Sequence, residues 1–185
     1  FIHILEQYLT YPVNARVQDE YAEGLLRILI DQGPKALTSP TDYDIRANIM
    51  WTASQALNGI LGVGVPQDWA THALGHELTA LHGLDHAQTL AIVLPALLNE
   101  KRQAKYEKLI QYAQKVWGIN QGSDAFKIET AINETRKFFE LMGLRTRLTD
   151  IPALVRKLEE HGQTALGEHQ DITLEVSQRI YTAAL

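Results

Sequence analysis

Apolar residues recur along this chain at three- and four-residue spacing almost throughout, the period of a helix that buries one face. Over 16–32, Tyr21, Leu25, Leu26, Leu29 and Ile30 keep that spacing, and Gly33-Pro34 predicts the end of the helix. Ser39-Pro40-Thr41-Asp42 then offers caps for a long apolar helix, DYDIRANIMWTASQALNGILGVG, which stops at the glycines before Pro66. Asp68 is placed to cap a helix running through His72 and His76 towards Gly83. Asp85 is placed to cap another, HAQTLAIVLPALLNE, with a kink expected at Pro95 near its end. Further helices are predicted at roughly 103–117, 123–142, 151–161 and 171–184, the third with Pro152 in its first turn. No period-2 run long enough for a strand and no internal repeat interrupts the series. The opening FIHILEQYLTYP reads as a helix entered partway along. The pattern predicts one all-α domain of eight or nine helices over 1–185.

Between 45 and 98 apolar residues cover most faces, which predicts central helices. That stretch carries HALGHELTALHGLDHAQ, with His72, His76, His82 and His86. A buried imidazole needs a partner, so the cluster points to metal binding or proton chemistry. His72 and His76 are four apart and share a helix face, as do His82 and His86. His72 and His86 are fourteen apart. On one unbroken helix that is roughly 21 Å, too far for ligands about 2.0–2.1 Å from one ion. Gly83-Leu84-Asp85 supplies a break that would fold His86 back beside the first helix. Spacing leaves the 72/76, 82/86 and 72/86 pairs all open. HGLDH has the form of an inverted zinc-protease motif, yet Gly83 interrupts it and its acid, Asp85, suits a cap. HELTALH is not H-E-x-x-H, since five residues separate its histidines. The isolated His161 and His169 read as surface or satisfied core residues.

Composition narrows the picture. Of 185 residues, 45% are hydrophobic and 21% charged, as in a soluble globular protein. The net charge of −5 is spread without a basic block, which argues against a nucleic-acid partner. With no cysteine, disulfides, thiolate zinc sites and cysteine nucleophiles are excluded, and a cytoplasmic setting is compatible. The N-terminal apolar residues are interrupted by His3 and Glu6 and lack a basic lead-in, so they suit neither a signal peptide nor a membrane span. Phe1 is expected to be a boundary within a longer polypeptide.

GVPQDWATHALGHELTALHGLDHAQTLAIVLPALLNEKR resembles the histidine region of the iron-dependent, or group III, alcohol dehydrogenases. The wording HELTALHGLDHAQ is similar to the branch of NADPH-dependent butanol dehydrogenases and broad-specificity aldehyde reductases. YDIRANIMWTASQALNG, the opening H-x-x-x-Q-Y-x-T-Y-P and the tail LGEHQDITLEVSQRIYTAA resemble the same branch, so the likeness covers nearly the whole chain. It implies the C-terminal all-α metal-binding domain of a two-domain dehydrogenase whose N-terminal Rossmann-like domain is absent here. The chain accordingly has no glycine-rich phosphate loop.

The resemblance further implies one divalent metal, Fe2+ or Zn2+, held by an Asp, a His four residues later and two His fourteen apart. Mapped here, those histidines are His3, His72 and His86, and the Asp would lie two residues before Phe1. His76 matches the histidine placed near the nicotinamide, a candidate proton relay, while His82 takes a structural or pocket-lining part. The implied activity is hydride transfer between NADP(H) and a short- or medium-chain alcohol or aldehyde, mainly as aldehyde reductase. The metal would act as a Lewis acid, with Trp69 and Leu74 in an apolar surround. A homodimer is implied, and 1–185 alone is expected to be inactive. Relatives in this branch tend to have a longer connection near Thr149-Asp150-Ile151. Two rivals stand beside this reading: a non-enzymatic all-α metal-binding or interaction module, and a zinc hydrolase using HGLDH, with His82 and His86 as ligands.

Overall fold

A computed structural model describes residues 1–148 and 154–185. Helices dominate it, as the apolar period predicts: α1 (Ile2–Tyr8), α2 (Arg16–Thr38), α3 (Tyr43–Ala56), α4 (Ala70–His82), α5 (His86–Glu100), α6 (Tyr106–Lys115), α7 (Asp124–Leu141), α8 (Leu154–Glu160) and α9 (Leu174–Ala183). The expected connection at Thr149-Asp150-Ile151 and the role of Pro152 lie outside the described residues. None of the helices among the described residues is long and apolar enough to cross a membrane.

The chain divides into two compact units, one of residues 1–67 and 105–134, the other of 68–104 and 135–185. In the first, α2 does not end at Gly33-Pro34 but continues to Thr38. Gly33 is buried, so packing holds the turn that the proline weakens. The helix over Tyr43–Ala56 begins as predicted, with Asp42 accepting the Ile45 N–H at 3.0 Å. It stops at Ala56, well short of the expected glycines, and Gly59 and Gly64 adopt positive φ in the turns that follow. It is also not central. Only Thr52, Gln55 and Ala56 are buried, and Trp51 is 70% exposed within the described chain. Its apolar residues go all round, but among the described residues it packs chiefly on α2, so most of that surface stays open.

The core of the first unit contains two buried lysines that the apolar pattern does not predict. Lys105 donates to the Leu9 carbonyl at 2.7 Å. Lys108 donates to Asp19 Oδ1 at 2.8 Å and lies 4.0 Å above the Tyr8 ring. Each buried charge therefore has an acceptor, which is the condition for its burial. The Tyr8 hydroxyl donates to Glu23 Oε1 at 2.8 Å, and Gln111 Nε2 donates to the same oxygen at 2.7 Å.

The second unit is built on α5. Every residue from Thr89 to Leu98 is buried, and the helix runs on through Pro95 to Glu100. Here the prediction of a central helix holds. α4 and α9 pack on it, and the Tyr181 hydroxyl donates to the Leu74 carbonyl at 2.8 Å. A two-residue pair, β1 (Ala165–Leu166) and β2 (Ile172–Thr173), runs antiparallel where no strand was expected, being too short to show a period. Thr173 then caps α9.

Beside this hairpin Lys101 is paired with Asp171. Burial would raise the Asp171 carboxyl, but the Lys101 ammonium outweighs it and holds the group below its usual value. A depressed carboxyl contributes stability above its unfolded pKa and loses it as pH falls through the folded value. Asp171→Asn is therefore expected to lower the urea midpoint of the full-length gene product at pH 7. The deficit should shrink as pH falls below about 4. A deficit that stays constant with pH would contradict this account.

Candidate metal centre

The local fold brings the histidines of the second unit together. α4 ends at His82 because Gly83 takes the left-handed conformation, φ 64° and ψ 22°, and its N–H closes on the Thr79 carbonyl at 2.9 Å. α5 opens at His86. Asp85 stands at the N-cap position as expected, yet its side chain makes no capping bond. Asp68 does cap, its Oδ1 accepting the Ala70 N–H at 2.8 Å, one residue ahead of the formal N-cap Trp69. α4 and α5 then pack closely at Gly75, where a Cβ would stand 3.0 Å from Leu90 Cδ2 and from Thr89 Oγ1.

Across the break, the His72 and His86 ring centroids are 5.1 Å apart. His76 lies 5.5 Å from His86 and 6.3 Å from His72. Two imidazoles bound at about 2.1 Å to one tetrahedral ion place their centroids roughly 5 Å apart. The His72–His86 separation fits that requirement best of the three. His72 is half-buried and held below its usual pKa, first by burial. His86 is lowered by burial and then by the charges of His72 and His76. Both shifts favour the neutral ring, the form that offers a lone pair to a metal. The Trp69 ring meets His72 edge-on at 5.3 Å, so an apolar wall stands beside the cluster. His3 lies in the first unit on α1, half-buried, and the Gln7 side chain donates to its carbonyl at 2.7 Å.

The hydrolase motif does not survive this geometry. HGLDH spans the end of one helix, a left-handed glycine and the start of the next, so it has no continuous helical face. His82 is half-buried, with its Nε2 buried and unpartnered among the described residues. His169 is exposed, and His161 pairs through Nδ1 with Glu77 Oε1 at 2.8 Å.

Glu77 is the residue that the sequence reading missed. It is only 5% exposed, and its Oε2 has no partner among the described residues. The signal was present in ALGHELTALHG: an acid flanked by apolar residues on a helix expected to be buried must find a partner.

The profile of the Fe-containing alcohol dehydrogenase family, C-terminal, matches residues 1–180. The NADPH-dependent aldehyde reductase YqhD of Escherichia coli is 64% identical over 100% of this chain and 49% of its own length. The NADH-dependent butanol dehydrogenase B of Clostridium acetobutylicum is 38% identical over 85% of this chain and 41% of its own. Among solved structures, the substrate- and cofactor-free aldehyde reductase YqhD from E. coli superposes with a TM-score of 0.98 at 62% identity, covering 100% of this chain and 50% of that one. The NADH-dependent butanol dehydrogenase A from Thermotoga maritima gives 0.90 at 27% identity, covering 99% of this chain and 49% of that one. The chain thus spans about half the length of the curated relatives it matches.

Proposed function

The chain belongs to the Fe-containing alcohol dehydrogenase family, and we propose that it is the metal- and substrate-holding domain of an NADPH-dependent aldehyde reductase. The observation that carries this reading is the meeting of His72 and His86 at 5.1 Å across the Gly83 break. The proposed protein ligands for one Fe2+ or Zn2+ ion are His72, His86 and, on the family resemblance, His3, a donor set that suits either metal. When bound, the metal supplies Lewis acidity towards the aldehyde oxygen, and NADPH supplies the hydride.

This chain's own residues do the rest. His72 and His86 offer neutral imidazoles from two helices locked by close packing at Gly75. His76, exposed and 5.5 Å from His86, is the residue that would pass a proton to the product oxygen, directly or through a water, when the nicotinamide is bound. Trp69 lines the aldehyde's alkyl chain and keeps water from the reacting carbon. The choice of NADPH over NADH follows the relative at 64% identity, whose name specifies it. The substrates are short- and medium-chain aldehydes, and the enzyme works as a cytoplasmic homodimer.

The direct test is oxidation of NADPH by the full-length gene product with butanal, beside NADH at equal concentration. Butanal-dependent turnover favouring NADPH is expected. Bound metal without any such turnover would leave the non-enzymatic metal-binding module as the reading. A second measurement addresses Trp69. Pocket contact with one methylene discriminates by about 1–3 kcal/mol, so Trp69→Ala should lower the hexanal-over-propanal ratio of kcat/KM by about tenfold. An unchanged ratio would remove Trp69 from the substrate wall.

A further inference from the structure

The second unit contains a cavity of about 430 Å3 lined by His82 of α4, Leu84 after the Gly83 break, Gln88 and Ile92 of α5, and Arg145, Arg147 and Leu148. Its size lies within the range of small-molecule sites, roughly 300–1,000 Å3. Its lining is chemically one-sided. Arg145 and Arg147 bring two guanidinium groups, and no carboxylate is among the described lining residues. Neither arginine makes an ion pair among the described residues.

The arginines are held in place from behind. Residues 145–148 alternate exposed, buried, exposed, buried, which sets Arg145 and Arg147 on one side of an extended segment. On the other side the Thr146 hydroxyl donates to Glu140 Oε1 at 2.6 Å, and the Leu148 N–H donates to the Ala184 carbonyl at 2.7 Å. The Gln88 side chain donates to the Arg145 carbonyl at 2.6 Å. Three anchors within four residues fix the backbone that carries both guanidinium groups.

Two polar atoms without partners lie near the same segment. His82 Nε2 and Arg136 Nε are buried and have no partner among the described residues. Burial, and after it the charge of Arg147, lowers the Arg136 guanidinium against the opposing charge of Glu140, which places a third cation, with one carboxylate near it, close to Arg147. Like charges held together in this way are stabilised by an anion between them.

We propose that this cavity binds the oxyanion of a small organic acid, a carboxylate or a phosphate monoester, with Arg145 and Arg147 on its oxygens and its short apolar stem against Leu84 and Ile92. Arginine forks match both oxyanions in two-bond geometry, and the apolar residues select an organic acid over a bare ion. Occupancy requires neither metal nor nicotinamide, so the site stands independently of the redox reading.

The test is calorimetric titration of the full-length gene product with butanoate, butyl phosphate and neutral butanol. Saturable binding of at least one anion is expected, while any binding of butanol, the product of butanal reduction, should be unchanged in the arginine variants. Arg147→Gln should weaken the anion binding by about tenfold or more, and Arg145→Gln with Arg147→Gln should abolish it. Arg147→Lys, which keeps the charge but loses the fork, should fall between wild type and Arg147→Gln. Both arginines are exposed, and unchanged thermal melts will show that the variants remain folded. The tighter of the two anions identifies the headgroup. The proposal is overturned if neither anion saturates, or if the double variant binds both within about twofold of wild type, which would locate the binding elsewhere. Failure of the reductase reading would appear instead as absent butanal-dependent NADPH oxidation in the wild type.

Discussion

His86→Ala in the full-length gene product is expected to lose its metal and its butanal-dependent NADPH oxidation together. His86 opens α5 with its ring 5.1 Å from His72. Removing it leaves His72 without its partner across the break. Metal-ion polarisation of a carbonyl is worth several kcal/mol, and each 1.4 kcal/mol is tenfold in rate, so turnover should fall by about 10³-fold or more. Elemental analysis and initial rates on the same preparation decide it. His72→Ala should behave in the same way, whereas His82→Ala should keep its metal. The hydrolase reading demands the reverse, with metal lost in His82→Ala and kept in His72→Ala.

Gly75→Val should damage the same centre without touching a ligand. A Cβ at this position already stands 3.0 Å from Leu90 Cδ2 and Thr89 Oγ1, and both atoms belong to the fully buried part of α5. The two further methyl groups of valine have nowhere to go but between the helices. Overpacking of this kind costs about 1–3 kcal/mol. Because Gly75 lies between His72 and His76 on α4, pushing the helices apart also spreads His72 from His86. The expected result is a lower unfolding midpoint together with weaker metal retention against a chelator. A variant that is destabilised but holds metal as tightly as wild type would show that the helix spacing at Gly75 does not set the centre.

The sequence made the helical architecture readable because its apolar period is strong and its punctuation is chemically clear. Gly83 in the left-handed region and Asp42 and Asp68 as caps are cases where one residue type does one local job. Helix ends set by packing were not readable. Gly33-Pro34 looks like a terminus, yet α2 runs past it with Gly33 buried. Nor could composition separate a helix that is apolar and central, such as α5, from one that is apolar and open, such as α3. Burial depends on neighbours that arrive from elsewhere in the chain. At the site, spacing left three histidine pairs open. The family resemblance pointed to His72 and His86, and their approach across the break depends on a packing distance that Gly75 permits and periodicity does not encode. The buried Glu77 and the anchored arginines have the same origin: their significance lies in partners distant in sequence, His161 for the one and Gln88 for Arg145.

The Gly83 break also has a kinetic consequence. His72 and His86 are separated by only fourteen positions, and the contact that joins them is made within one helical hairpin. Closing a loop of about ten residues takes on the order of 10–100 ns, and contacts this local form early because little chain entropy is lost in making them. Two of the proposed ligands can therefore come together while most of the chain is still unfolded.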